Sequence, residues 1–214
     1  MSESIFDPID PILGEFQISD AESATGRRSR GTVRFEPHGL FAHSYATMEG
    51  GETRYGLAAI FRGRLVIAMG TNDKVEIGAY HLSGKRLEGI WVPPGAKGCD
   101  LAMCGREVSR LDSGTSYTID QAHAVDQMPY TGRVSLDYLD PEETPVRRVK
   151  FSWSLHDGDY SSFGLASGEV LVSSFNFEPN TPFAIGLYEP RHGQWRGTIA
   201  HSDHEGVSRE TLKR

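Results

Sequence analysis

The chain has almost no cysteine, no long apolar run, no excess of positive charge and almost no helical periodicity. Its two cysteines, Cys99 and Cys104 in GCDLAMCG, are too few for a disulfide framework, and a free pair in a reducing compartment is the reading favoured here. No stretch approaches the ~20 apolar residues that span a bilayer, and the start MSESIFDPIDP lacks the basic and apolar regions of a secretory signal. A cytoplasmic location is expected. With 22 Lys and Arg against 29 Asp and Glu, the formal charge of -7 lacks the basic footprint of a nucleic-acid or anionic-membrane binder. Neither is an expected partner, and oligomeric state leaves no mark in the sequence.

Cofactor and metal motifs are missing too. Neither GxGxxG nor a P-loop occurs, so no nucleotide cofactor is expected. FGLASGE has a serine between glycines but lacks the nucleophile-elbow pattern and its following helix. HSDHEG gathers His201, Asp203, His204 and Glu205, yet it precedes Gly206 as a turn, and the matching stretch near Pro93–Gly98 carries no ligands. It reads as a solvated loop, and no metal or other cofactor is expected.

What the chain does have is a repeat. Gly56 and Gly164, Ile77 and Ile185, Tyr80 and Tyr188, and Gly89 and Gly197 are each 108 positions apart, and the same shift pairs Ser44 with Ser152 and Tyr45 with Trp153. Earlier the offset is 101, pairing Phe16 with Tyr117, Ile18 with Ile119, Gly31 with Gly132 and Val33 with Val134. Near the ends it is 99, pairing Val108 with Val207 and Arg110 with Arg209. Order is kept while turn lengths vary, as turns tolerate insertions and strands do not. Residues 1–112 and 113–214 are thus read as two β-barrel repeats.

Within each copy period-2 alternation dominates, punctuated by Gly, Pro, Asp and Asn turns. Strands are predicted near 14–18, 31–36, 40–47, 54–61, 64–69, 75–81, 86–92 and 106–111, with counterparts in the second copy. Eight short strands suit an antiparallel up-and-down barrel, because closure removes unpaired edges. The fold class is all-β. Whether the copies close separately or as one sheet system is left open.

The motifs RYGLAAIFRGRLVIAMG, VEIGAY and RLEGIW resemble the repeat of bacterial lipocalin-like or avidin-like barrels, over most of both copies. That resemblance implies a calycin-type barrel, in which an aromatic residue of the first strand packs under a basic residue of the last. Phe16 with Arg110 and Tyr117 with Arg209 are the candidates.

Comparing the copies also sorts the strand faces. Val75, Ile77 and Ala79 pair with Phe183, Ile185 and Leu187; Leu87, Gly89 and Trp91 pair with Trp195, Gly197 and Ile199. Phe41, His43, Tyr45 and Thr47 pair with Val149, Phe151, Trp153 and Leu155. All are expected to face inward. His43 against Phe151, and His81 against Glu189, break the apolar phase, and a buried imidazole or carboxylate can act as an acid or base. His43, His81 and Glu189 are therefore catalytic candidates, and Tyr45, Trp91, Trp153 and Trp195 are candidate ligand contacts as well as core fillers.

The function expected is binding of a small hydrophobic or aromatic molecule inside a barrel. The alternatives are a cofactor-independent isomerase or cyclase working by acid-base chemistry, and a structural or interaction protein with filled barrels.

Overall fold

The structure, a computed structural model, describes residues 6–22, 26, 28–94, 105–124, 128–178, 180–203 and 205–214. Cys99, Cys104 and His204 lie outside the described residues. The first copy contributes β1 (Phe6–Asp7), β2 (Gly14–Glu22), β3 (Arg28–His38), β4 (Phe41–Met48), β5 (Thr53–Phe61) and β6 (Arg64–Gly70). It ends with β7 (Ile77–Ser83), β8 (Arg86–Val92) and β9 (Gly105–Ser113). The second begins with β10 (Ser116–His123), β11 (Gly132–Tyr138), β12 (Arg147–Leu155), β13 (Gly158–Ser167) and β14 (Val170–Ser174). It closes with β15 (Phe183–Arg191), β16 (Gln194–His201) and β17 (Val207–Lys213). These strands contain or overlap every stretch that the alternation predicts. Among the described residues no helix is long and apolar enough to cross a membrane.

Two closed antiparallel barrels of eight strands result, but neither is made from one copy. Barrel I joins β2 to β6 with β15, β16 and β17, closing through the β5–β6, β6–β15 and β17–β2 pairs. Barrel II runs from β7 to β14 and closes through β14 on β7 and β9 on β10. The copies exchange their last three strands. Barrel II is consequently one continuous segment inserted into barrel I, and the boundaries between barrels fall near 70–77 and 174–183, not near the repeat boundary at 112.

This exchange explains the closure contact. The last strand beside β2 is β17, so the side chain over Phe16 is Arg214, its guanidinium 5.1 Å from the ring centroid. Arg214 also donates to the carbonyls of Pro11 (3.2 Å) and Leu13 (3.1 Å), sealing that end of barrel I together with Ile9 and Ile12. The sequence pairing of Phe16 with Arg110 and Tyr117 with Arg209 does not occur. Arg110 lies outside barrel II facing Asp120 at 3.7 Å, and Arg209 lines an outer groove of barrel I.

Among the described residues three apolar cores form. One fills barrel I (Phe16, Val33, Phe35, Ile67, Tyr188, Leu212) and one fills barrel II (Tyr80, Leu87, Tyr117, Val134, Phe151, Leu171). The third lies between the barrels, where Phe41, Leu57, Phe61 and Val66 of barrel I meet Ile77, Ile90, Leu165 and Val172 of barrel II. Here the face assignment needs correcting. Ile77, Ala79, Ile185 and Leu187 are buried as expected, but in this seam and not inside a barrel. Strands covered on both faces lose the polar phase that marks the outside, so alternation points to burial without saying by what.

Candidate functional site

His43 illustrates how one residue of register moves a side chain across a sheet. Gly31 pairs with Met48 and Gly132 with Leu155, which makes Met48, not Thr47, the equivalent of Leu155. The inward phase of β4 is therefore Ala42, Ser44, Ala46 and Met48, of which Ala42, Ala46 and Met48 pack in the barrel I core. His43 and Tyr45 stand on the outer wall. The His43 ring is 4.2 Å from that of His38, and burial, followed by the His38 charge, holds its pKa below the usual imidazole range. Tyr45 lies under Arg34 at 5.6 Å and edge-on to Tyr55.

His81 and Glu189 are also outside. His81 sits at the seam, accepting at Nδ1 from Arg62 (3.1 Å) with Nε2 3.2 Å from Glu169. Glu189 on barrel I faces Arg64 and Arg191, each at 3.6 Å. The three catalytic candidates thus stand on outer faces, His81 and Glu189 both beside the β5–β6 hairpin through Arg62 and Arg64. Of the aromatic candidates, Trp195 packs inside barrel I, whereas Trp153 packs inside barrel II and Trp91 hydrogen-bonds Tyr130 there. His201 ends β16 with Nε2 3.0 Å from Ser208 Oγ, and among the described residues no three metal-capable side chains converge.

The interior chemistry lies elsewhere, in a unit present twice. Tyr80 pairs with Gly89, which pairs with Glu107; Tyr188 pairs with Gly197, which pairs with Glu210. Each tyrosine ring lies on its glycine so closely that a Cβ at Gly89 would fall 1.9 Å from the Tyr80 ring and one at Gly197 2.2 Å from that of Tyr188. Glycine is required by space. Each glutamate then points into its barrel beside a fully enclosed phenol.

In barrel I the unit is self-contained. Tyr188 donates a short hydrogen bond to Glu210. Burial raises the Glu210 pKa, opposed by that bond and by the charge of Arg54. Arg54, Tyr188 and Glu210 line a void of about 50 Å³ with Met48, Met69 and Ile199, room for ordered water.

Barrel II is built differently at the same end. Glu107, 2% exposed, accepts from Ser109 (3.1 Å), Tyr130 (3.1 Å) and the Trp153 indole (3.0 Å), while Trp91 hydrogen-bonds the Tyr130 phenolic oxygen. Burial pushes its pKa up, and the three donors oppose the shift. Glu76, just before β7, is a second carboxyl at this mouth. Its charge and that of Glu107 both act on Tyr80 and Tyr130. Glu76 keeps a partial opening to solvent, yet the protein around it is dense enough to push its carboxyl up to about 8, through burial alone.

No protein-family model, curated protein or solved structure matches this chain. The arrangement has to be read from its own geometry. The lining of the barrel I void changes in barrel II from Ala184 to Glu76, from Ile199 to Trp91 and from Arg54 to Ser162, each pair 108 apart, and, in the register of β4 and β12, from Ala46 to the bulky Trp153. The Ser162 Oγ is buried without a hydrogen-bond partner, a state shared with Ser44 in barrel I.

Sequence reasoning found Tyr80, Tyr188, Gly89, Gly197, Trp91 and Trp153. It missed Glu107, Glu210 and Glu76. The signal was available: both glutamates follow a strand whose glycine is already matched, but an offset of 99 fixed on Val108–Val207 passed over them.

Proposed function

We propose that the chain is a small-molecule binding protein whose ligand enters the end of barrel II that carries Glu76, Glu107, Trp91, Trp153 and Tyr130. The observation that carries this is the contrast between equivalent ends. Barrel I sets its buried acid against its own tyrosine and arginine, while barrel II surrounds Glu107 with three neutral donors, half-buried aromatic rings and a second acid nearby. Few, convergent polar groups among aromatic walls are the usual composition of a ligand site. The resemblance to lipocalin-like repeats supports the reading at the level of a barrel open at one end.

The test is retention of ligand by the whole chain. Protein equilibrated with a small-molecule extract is expected to hold a discrete added mass in native mass spectrometry. Ser162→Trp, which fills the barrel II mouth, should release it, and a mass still held by that variant would refute the reading. Acid-base catalysis by His43, His81 and Glu189 gains no support from their placement on outer faces.

A second reading rests on a different observation. A groove of about 520 Å³ runs along the outside of barrel I beside the β11–β12 connection, lined by Val146, Leu187, Thr198, Arg196 and Arg209. Among the described residues neither Arg196 nor Arg209 has an ion-pair partner, so this groove suits an anionic molecule. Loss of an anionic ligand in Arg196→Glu/Arg209→Glu, with the Ser162→Trp variant unaffected, would select it.

A further inference from the structure

A grid of outward side chains covers barrel I where it faces the β11–β12 connection. Tyr188, Trp195, Ile199 and Leu212 pack inside the barrel, so the alternate residues of β15, β16 and β17 face out. Arg209 lies directly opposite Thr198 and diagonally from Arg196, which itself lies opposite Glu189 and Thr211. Diagonal cross-strand neighbours stand about 7–8 Å apart, within reach of long side chains, so both guanidinium groups can meet over the Thr198 hydroxyl. Glu189 is engaged by Arg64 and Arg191, each at 3.6 Å, and Glu210 borders the groove but turns its carboxyl into barrel I, onto Tyr188. Along the groove Arg191, Arg196 and Arg209 therefore oppose one outward carboxylate, an excess of two positive charges on a chain of net charge -7.

The facing wall is braced. Asp140 accepts from the Arg148 backbone N–H (2.7 Å) and from its guanidinium at Nη2 (2.7 Å) and Nε (3.0 Å), which clamps the two ends of the β11–β12 connection together. Pro145 and Val146 are carried on that connection, and Val146 packs against the seam. Arg64 donates to the Ser167 carbonyl (2.7 Å) and ties the β13–β14 hairpin to barrel I. The groove of about 520 Å³ between these walls has the size of a small-molecule site and lies between two barrels, a usual place for one.

Resting on the second reading, of this groove as an anion site, we propose that it takes a phosphate monoester of a small organic molecule. Arg196 and Arg209, without an ion-pair partner among the described residues, offer two planar forks that bond phosphate oxygens in pairs. The excess of two positive charges matches the near-dianion that such an ester carries. Pro145, Val146 and Leu187 supply an apolar flank for the organic body.

The experiment titrates phenyl phosphate, phenyl sulfate and inorganic phosphate into the full chain by calorimetry, well above the phosphate pKa of about 6. Phenyl phosphate is expected to bind at least tenfold more tightly than phenyl sulfate, its singly charged analogue, and than inorganic phosphate, which lacks the ring. Arg196→Gln/Arg209→Gln should weaken it at least tenfold. Arg110→Gln/Arg133→Gln, the same charge change on the outside of barrel II, should leave it nearly unchanged. Thr198→Val should weaken it several-fold and serves if the double arginine variant does not fold. Equal binding of the two esters would overturn the phosphate while leaving an anion site. Inorganic phosphate bound as tightly as phenyl phosphate would overturn the organic body. An absence of saturable binding by any of the three, or binding untouched by the arginine and threonine variants, would overturn the proposal and the anion reading together. A phosphotyrosine peptide held tenfold more tightly than phenyl phosphate would replace the small molecule by a protein segment.

Discussion

The two barrels share strand number, hand-over of strands and a Tyr-Gly-Glu unit, yet they satisfy the buried acid in different ways. In barrel I the phenol, the carboxyl and the guanidinium of Tyr188, Glu210 and Arg54 complement one another around a void of about 50 Å³. In barrel II the same three places hold Tyr80, Glu107 and Ser162, with Glu76 added. A buried charge is tolerated when paired and is expensive when it is not, and barrel I sets a guanidinium against its acid where barrel II uses three neutral donors. Duplication makes such a division possible, because one copy can retain the stable solution while the other specialises. What it teaches is where to look: at the positions where equivalent linings differ, not at whichever residues look reactive alone.

The largest effect should come from cutting the chain. Because the copies exchange three strands each, residues 1–112 alone lack β15–β17 of barrel I, and 113–214 alone lack β7–β9 of barrel II. We expect each to be unfolded or aggregated by circular dichroism and size exclusion, and the two co-expressed to assemble into the native pair. A well-folded monomer from either half would show that the exchange is dispensable. The next effect should come from the glycines under the tyrosines. Gly89→Ala and Gly197→Ala place a Cβ about 2 Å from a ring atom that has nowhere to go, and each is expected to destabilise by about 2–4 kcal/mol in denaturant unfolding. Gly89→Ala with Tyr80→Leu should recover part of the loss, since the collision is with the ring. Unequal responses at the two glycines would show which barrel limits the unfolding of the whole.

Much of this comparison was legible in the residues themselves. Tyr80 with Tyr188 and Gly89 with Gly197 stood out because a large ring over a glycine leaves no freedom at either position. The strand exchange left no such trace. Which β6 neighbour comes next is a choice between pairings far apart in sequence, and either would satisfy the same alternation. Ile77 and Ile185 were assigned to barrel interiors because the seam buries apolar side chains equally well. His43 was drawn inside by matching Tyr45 to Trp153, a tempting aromatic pair one residue out of register with the strands. Glu76 resembled any exposed acid at a strand start, and only the closed barrel turns it toward Tyr80 and Tyr130.

A pH titration separates the barrels at smaller scale. Glu76 has a folded pKa of about 8 against roughly 4.5 when unfolded, so between these values the folded state holds a proton that the unfolded state has lost. Stability should therefore fall as pH rises from about 4.5 to 8 and flatten above, because ∂ΔG/∂pH is negative wherever the native state binds more protons. Glu107 and Glu210 are also raised and contribute to the same slope. The difference between wild type and Glu76→Ala isolates the single group. We expect the variant to match wild type near pH 4.5 and to be more stable near pH 8.5, by about 2–3 kcal/mol after allowance for the partial solvent opening. Identical profiles would mean that Glu76 turns to water and barrel II carries one buried acid like its twin.

The smallest effects should come from the side chains whose chemistry looked most promising. His43 and His81 lie on outer walls, the first against His38 and the second between Arg62 and Glu169. Exposed ion pairs and surface rings contribute little, so His43→Gln and His81→Gln are each expected to change stability by about 0.5 kcal/mol or less. Neither should alter ligand retention by barrel II, since both rings stand on outer faces of their strands. A tenfold loss of binding in His81→Gln alone would be informative, because His81 pairs with Val170 across β7 and β14 and touches the barrel I hairpin through Arg62. Such a loss would mean that the seam transmits strain into the mouth, and that the two barrels, distinct in their interiors, work as one body.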